Sequence, residues 1–168
     1  MTVKTYCITK IRGFLDRWEA DAKASMPEVI KEMVEGIQST LKNDVLRLYG
    51  CYFLCLLKWL EVHDGLRFDE ERIEYCFHSC VQAKLIKAET AYVNDAIGVL
   101  NHILEKTKYT KANFGIKERP PGLSIIALTK PNITHFITQL ASGATWDTLD
   151  PMRPAASTYS VDSYRTFT

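Results

Sequence analysis

The sequence lacks an excess of charge of either sign, a long apolar run and a secretory signal. Its 168 residues carry 21 basic and 20 acidic side chains, for a net charge of +1. Nucleic acids and acidic lipids usually require a basic patch on their partner. The longest apolar run, 51–57, ends at Lys58, far short of the roughly 20 residues that span a bilayer. The first ten residues have no continuous apolar core. We therefore predict no nucleic-acid partner, no membrane span and a cytoplasmic location.

Cysteine is present in an odd number, which excludes a fully paired disulfide framework within one chain. The five cysteines are Cys7, Cys51, Cys55, Cys76 and Cys80. In a reducing cytoplasm such residues are by default free thiols that behave as small buried hydrophobes. A special role for any of them has to be argued from its position.

The apolar pattern predicts an α+β fold, with helices in the first two-thirds and a small antiparallel sheet in the last third. Helical spacing predicts helices over 8–24, 27–41, 49–62, 69–85 and 94–104. Gly65 is the predicted end of the third helix, and Asp69 and Asn94 are the predicted caps of the fourth and fifth. The prolines at 120 and 121 mark 113–122 as a connector. Short strands are predicted over 123–128, 133–140 and 144–149, with 157–168 as an edge strand or a tail. We expect one compact unit, in which 1–42 is an N-terminal helical segment and 43–168 is the α+β domain.

The segment Tyr49-Gly50-Cys51-Tyr52-Phe53 places a cysteine at the start of an apolar helix. The unpaired amides and the dipole at a helix amino terminus stabilise a thiolate. A thiolate nucleophile needs a partner that carries its proton, usually histidine, and that histidine needs an orienting acceptor. Cys51 is therefore a candidate nucleophile.

A histidine and two carboxylates lie on the predicted strands. His135 lies on the strand 133–140, on the same face as Ile137. Across the short turn, the neighbouring strand carries Asp147, and Asp150 follows it. In a regular hairpin either carboxylate can accept a hydrogen bond from the imidazole of His135. The order along the chain is then cysteine, histidine, aspartate.

These stretches resemble the papain-like cysteine peptidase superfamily, especially its small bacterial branches that cleave peptides or cell-wall amides. The resemblance is carried by Tyr49-Gly50-Cys51-Tyr52-Phe53, Thr134-His135-Phe136 and Trp146-Asp147, within residues 43–168. The chain also looks similar to uncharacterised proteins encoded by phages and plasmids. The resemblance implies a papain-like helix-plus-sheet fold and thiol-dependent hydrolysis of a peptide or peptidoglycan-type amide. It implies Cys51 as nucleophile, His135 as base and Asp147 as orienting residue, with no metal and no organic cofactor.

One feature of the superfamily is missing from this sequence. Many members have a glutamine shortly before the nucleophile, whose amide stabilises the oxyanion. The stretch 43–48 contains no glutamine, and Asn43 is out of place by about half a helical turn. The oxyanion donor therefore stays unassigned, and a non-catalytic relative is an open alternative.

Two further alternatives are not enzymatic. Cys51-x3-Cys55 and Cys76-x3-Cys80 form a twin pattern that an antiparallel helical hairpin would bring together, for two disulfides or a zinc site. In the other alternative, one apolar stripe makes the helical part an interaction or scaffold module. The stripe consists of Ile30, Val34, Ile37 and Leu41. The sequence predicts no particular oligomeric state.

Overall fold

The structure, a computed structural model, describes residues 37–131, 133–148 and 159–168, which belong to one compact unit, Glu35–Thr168. Its helices are α1 (Ile37–Thr40), α2 (Asp44–Tyr49), α3 (Cys51–Asp64), α4 (Glu70–Gln82) and α5 (Ala96–Leu104). Its strands are β1 (Ala112–Ile116), β2 (Ser124–Lys130), β3 (Ile133–Gln139), β4 (Thr145–Asp147) and β5 (Ser160–Phe167). Helices precede an antiparallel sheet, which confirms the α+β prediction. None of the helices in these ranges is long and apolar enough to cross a membrane.

Helix α3 is the centre of the helical layer. Its residues from Phe53 to Leu60 are all buried, so it is enclosed on every side instead of along one stripe. It contacts β3 of the sheet and also the helices α4 and α5. Even Lys58 is buried, where its ammonium group bonds the carboxylate of Glu61 at 3.0 Å. This enclosure fixes the position of both ends of α3.

The five strands are all antiparallel and follow the spatial order β1-β5-β2-β3-β4. Strand β2 is buried from Ser124 to Leu128 because β5 and β3 flank it on both sides. The expectation that 157–168 forms an edge strand or a tail is wrong, since β5 lies inside the sheet. The expectation that 113–122 is only a connector is also wrong, since β1 begins at Ala112. Gly115, at φ 68°, interrupts the regular register of β1 and hides its strand pattern.

The helix ends confirm two local predictions and correct a third. Asp69 caps α4 by accepting a hydrogen bond from the amide of Arg72 at 2.8 Å. Gly65 ends α3 in the left-handed conformation that glycine favours. The cap of α5, however, is Asp95 and not Asn94, whose amide donates to the carbonyl of Lys84.

The predicted helix 8–24 and most of the predicted helix 27–41 lie outside the described residues. The division of the chain at residue 42 therefore stays a prediction. Within the described part, Gln38 of α1 and Leu41 are buried. Thr148, just after β4, donates a hydrogen bond from its hydroxyl to the side-chain oxygen of Gln38 at 2.6 Å. The N-terminal end of the described unit is thus joined to the last residues of the β4 segment.

A buried polar cluster holds the carboxyl end of α3. The hydroxyl of Tyr109 donates to Asp64 and accepts a hydrogen bond from the indole of Trp59 at 3.1 Å. Lys108 forms an ion pair with the same carboxylate of Asp64. The ring of Trp59 also packs edge-on against Phe167 of β5, at a centroid distance of 5.0 Å. The end of α3 is therefore tied to the segment before β1 and to β5.

The Tyr109→Phe variant tests this cluster. Tyr109 is 2% exposed, and without its hydroxyl the indole of Trp59 and one oxygen of Asp64 lose a buried partner. We expect the free energy of unfolding in urea to fall by about 1–3 kcal/mol. The matched control is Tyr49→Phe, because Tyr49 is 56% exposed and should change stability by less than about 0.5 kcal/mol. Equal stability of the two variants would contradict this role of the hydroxyl.

Candidate active site

Gly50 sets the start of α3. It ends α2, where its amide donates to the carbonyl of Leu46 at 2.8 Å, and it is also the N-cap residue of α3. A Cβ atom on Gly50 would lie 2.5 Å from the carbonyl oxygen of Leu46, which is too close for any side chain. The close contact of position 50 with the backbone of Leu46 in α2 therefore requires glycine. With Gly50 as the N-cap residue, Cys51 is the first residue of α3.

His135 and Asp147 form a hydrogen-bonded pair across the β3–β4 hairpin. The Nε2 atom of His135 lies 2.8 Å from Oδ1 of Asp147, and both side chains are largely buried, at 4% and 13% exposure. Asp147 is opposite Ile137 in the β3–β4 register, which places it diagonally across from His135. The side chain of Cys51 lies close enough to the imidazole of His135 to raise its pKa. Since Nε2 faces Asp147, Nδ1 is the ring nitrogen left for the thiol.

The pKa of His135 is set by its burial and by the neighbouring Asp147 and Cys51. Burial by itself lowers the pKa, but the hydrogen bonds and charges of Asp147 and Cys51 outweigh it and raise the pKa to about 9. At neutral pH the imidazole is therefore protonated between two groups that can carry negative charge. The three residues that the sequence predicts for the site are brought together, while their catalytic roles stay a prediction. Asp150, the alternative orienting residue, lies outside the described residues.

The other described cysteines have a different surrounding. Cys55, one turn after Cys51, is fully buried, and burial raises its pKa well above the ordinary range. Burial and the neighbouring Cys76 raise the pKa of Cys80 to about 12. Cys51 alone of these four is partly exposed. None of these four described cysteines forms a disulfide bond, and the described residues hold no group of side chains that could bind a metal ion. The disulfide or zinc hairpin thus gains no support from the part of the chain described.

A cleft of about 280 Å³ opens beside Cys51. Its wall includes Tyr52, Phe136 and Arg165, and the loop 90–93 forms another side. A second cavity of about 330 Å³ is also lined by Tyr52 and Arg165. His135 is not among the residues that line the cleft, and its exposure is 3%. The cleft therefore gives a ligand access to the thiol, while the imidazole is almost fully buried.

Arg165 also lines this cleft, although the sequence does not predict it as a site residue. Its guanidinium carbon lies 4.4 Å from the ring centre of Tyr52 and 4.5 Å from that of Phe136. Tyr52 comes from α3 and Phe136 from β3, and the two rings are 4.6 Å apart between centroids. A single arginine in a segment rich in serine, threonine and tyrosine carries no local signal for such a position.

Asn43, His63 and His102 have structural partners. The side-chain oxygen of Asn43 accepts hydrogen bonds from the amides of Val45 and Leu46, so Asn43 caps α2. His102 of α5 bonds the hydroxyl of Ser79 in α4 at 2.7 Å. His63 at the end of α3 stacks on Trp59. No side chain caps the amino terminus of α3, so its first-turn amides face the start of the helix without such a partner.

Residues 34–168 match the family model described as "Protein of unknown function, DUF261". The match covers most of the chain and shows its family. No curated protein matches the chain significantly, and neither does any solved structure. The description of the family names no activity, so a function has to be argued from the geometry of the site.

The pH dependence of stability tests the His135 pair. The folded chain keeps the imidazole proton up to a pKa of about 9, whereas the ordinary value is 6.5. The stabilisation by this proton is therefore complete below pH 6.5 and is lost as the pH rises through about 9. We expect the advantage of the wild type over His135→Gln, measured as free energy of unfolding, to shrink by about 3 kcal/mol between pH 6 and pH 10.

The control for this measurement is His78→Gln, which replaces an exposed imidazole on α4. Its effect on the free energy of unfolding should stay within about 0.5 kcal/mol across the same range, as for most surface substitutions. An advantage of the wild type over His135→Gln that does not change with pH would contradict the raised pKa of His135.

Proposed function

We propose that this chain, which belongs to the DUF261 family, is a thiol-dependent hydrolase of amide bonds. In this proposal Cys51 is the nucleophile, His135 the general acid and base, and Asp147 the residue that orients the imidazole. The observation that carries the proposal is the 2.8 Å bond between His135 and Asp147, made next to a partly exposed thiol at a helix start. A nucleophile, a base and an orienting acceptor in contact form the usual arrangement for covalent catalysis.

The first half of the proposed reaction is acyl transfer to sulfur. The Cys51 thiolate attacks the carbonyl carbon of the amide, and a bond between sulfur and carbon forms. The imidazolium of His135 then donates its proton to the amide nitrogen as the carbon–nitrogen bond breaks. The amine leaves, and the acyl group stays on Cys51 as a thioester. Asp147 holds the ring so that Nδ1 faces both the sulfur and the leaving nitrogen.

The second half is hydrolysis of the thioester. Neutral His135 takes a proton from a water molecule, and the resulting hydroxide attacks the thioester carbonyl. The carbon–sulfur bond breaks, a carboxylic acid is released, and the Cys51 thiolate is restored beside the imidazolium. The cycle consumes one water molecule and needs no metal or organic cofactor.

The amino terminus of α3 is the proposed oxyanion site. An amide carbonyl attacked by Cys51 develops negative charge on its oxygen, which needs hydrogen-bond donors. The backbone amides of Cys51 and Tyr52 lie in the first turn of a 14-residue helix and have no side-chain cap. Together with the helix dipole, they replace the side-chain amide that is missing before the nucleophile.

The proposed substrate is a peptide or a peptidoglycan-type amide. A cleft of about 280 Å³ beside the thiol accommodates a group of the size of one or two residues. Its aromatic walls, Tyr52 and Phe136, suit an extended chain with apolar and peptide surface. The similarity to small bacterial, phage and plasmid proteins favours such amides, and that part of the proposal is an analogy.

Site-resolved alkylation tests the nucleophile. On the native chain at pH 6, we expect Cys51 to react with iodoacetamide at least about tenfold faster than Cys55, because a thiolate beside an imidazolium is the reactive form. The variant His135→Ala should lose most of this advantage. Mass spectrometry of proteolytic peptides gives the rate at each cysteine separately. Cys55 is the internal control, since it lies on the same helix one turn later and is buried.

Two results would contradict the proposal. If Cys51 reacts no faster than Cys55, it is an ordinary thiol. If the cysteines of α3 and α4 are blocked until a reductant or a chelator is added, the disulfide or zinc hairpin is the better explanation.

A pair of substitutions at Asp147 separates orientation from charge. Asp147→Asn keeps an acceptor oxygen toward the imidazole, whereas Asp147→Ala removes it. We expect alkylation of Cys51 to slow by about twofold to fivefold in the first variant and by about tenfold or more in the second. Loss of the carboxylate charge should also lower the pKa of His135 in both variants, which makes the imidazolium stabilise the thiolate less and shifts the rise of Cys51 reactivity to higher pH. Equal loss of reactivity in both variants would show that the charge matters and the orientation does not.

A further inference from the structure

The guanidinium of Arg165 packs against three aromatic rings, Tyr52, Phe136 and Phe114, which together are called the aromatic clamp. Arg165 lies on β5, inside the sheet, and its guanidinium group stacks near Tyr52, Phe136 and Phe114. The distance to the ring centre of Phe114 is 5.3 Å. Stacking on aromatic faces fixes the plane of the guanidinium and reduces its contact with water. Only the edges of the group, where its N–H donors point, are then left for a ligand.

This guanidinium forms no ion pair with a carboxylate of the described residues, and its charge contributes least to the lowered pKa of Asp162, after Ser163 and Lys117. The ion pairs found there use other cations, namely Arg47, Lys58, Lys108, Lys117 and the imidazoles of His63 and His135. The Nε atom of Arg165 is buried without a hydrogen-bond partner. Burial raises the pKa of Tyr52, and the charge of Arg165 opposes that rise. A half-buried cation with an unused donor is costly unless a ligand pairs with it.

Arg165 and Cys51 line the same cleft. We propose that Arg165 binds a carboxylate of the substrate, and that the enzyme acts on amides with a carboxylate close to the bond that is cleaved. The proposal deepens the proposed function and rests on it. It makes Arg165 a specificity-determining residue: it contacts the substrate away from the reacting carbonyl, while Cys51 and His135 carry out the chemistry.

Carboxylate is the anion that this arrangement fits best. A guanidinium whose faces are covered by rings offers its donors in one plane, and a planar carboxylate accepts two of them side by side. The carboxylate has two sources in peptides and cell-wall amides: the free end of the chain and the side chain of an acidic residue. Both carry the same group, and the probes below distinguish them.

The test uses thiol-reactive probes of matched size on the full chain. N-iodoacetylglycine carries a carboxylate and N-iodoacetylglycinamide carries a neutral amide in its place. Both react in the same way: the Cys51 sulfur forms a bond to the methylene carbon and iodide leaves. We expect Cys51 in the wild type to prefer the carboxylate probe by about tenfold after correction for the two probes' rates with a free thiol. Peptide mapping by mass spectrometry gives both rates at Cys51.

Three variants assign this preference to Arg165. In Arg165→Gln the ratio of the rate with the carboxylate probe to the rate with the neutral probe should fall about tenfold. Arg165→Lys keeps the charge but not the planar pair of donors, so it should keep a part of the preference. Lys87→Gln is the matched control: it removes one positive charge from a lysine that lies over the ring of Tyr92 at the same cleft, and the preference should persist.

Failure of this inference and failure of the proposed function give different results. If Cys51 has no preference for the carboxylate probe, or if Arg165→Gln keeps it, Arg165 is not the carboxylate site, even when Cys51 reacts fast with the neutral probe. If Cys51 reacts slowly with the neutral probe but the preference follows Arg165, the carboxylate site stands and the hydrolase does not. If Arg165→Gln does not fold, Arg165→Lys replaces it. A second measurement then uses the wild type: N-acetylglycine should slow the alkylation of Cys51, and N-acetylglycinamide, the neutral control, should not.

A third probe separates the two sources of the carboxylate. N-iodoacetyl-aspartic acid with its α-carboxyl group amidated carries only a side-chain carboxylate. A preference for N-iodoacetylglycine over this probe indicates recognition of a free chain end, and the reverse indicates recognition of an acidic residue. Equal rates of all three probes at Cys51 would overturn the inference.

Discussion

The burial of α3 on all its sides is the constraint on which the rest of this structure depends. Because residues from Phe53 to Leu60 contact the sheet and the neighbouring helices, α3 has no freedom to slide or rotate. Its first residue, Cys51, is therefore held at the imidazole of His135. Its last turn is held by the bonds of Tyr109 with Trp59 and with the carboxylate next to Gly65. A thiol placed on a loop would have to be ordered by the ligand, whereas this thiol is ordered by the core.

The imidazolium of His135 and the carboxylate of Asp147 can both be buried because they form a hydrogen-bonded ion pair. An imidazolium alone in the position of His135 would be destabilised by burial, and the carboxylate of Asp147 compensates for that penalty through a direct bond. The same rule explains why Cys55 and Cys80 are suited to the core as neutral thiols. Arg165 is the exception, since it is stabilised by aromatic rings and not by an acid. In the described part of the chain, the charge of His135 is thus balanced by Asp147, whereas the charge of Arg165 is the one proposed to be balanced by a ligand.

Local features of this fold were predictable from the sequence, and long-range features were not. The cap at Asp69 and the helix end at Gly65 depend on a few neighbouring residues, so the composition indicates them directly. The proximity of His135 and Asp147 follows from a short hairpin, which is also local. The position of β5 between β1 and β2 depends on pairing between segments about 30 to 55 residues apart, and no local pattern encodes it. The clamp around Arg165 joins α3, β1, β3 and β5, which explains why the sequence alone gave no indication of it.

The position of β5 also has a consequence for synthesis of the chain on the ribosome. Strands β1 and β2 leave the ribosome well before β5, yet they do not pair with each other in the final sheet, because β5 lies between them. Until β5 arrives, the facing edges of β1 and β2 expose unpaired backbone groups, which is the state in which nascent chains associate wrongly. Arg165 enters the cleft only with β5, so a nascent chain carries the thiol of Cys51 before it carries the residue proposed to select the substrate.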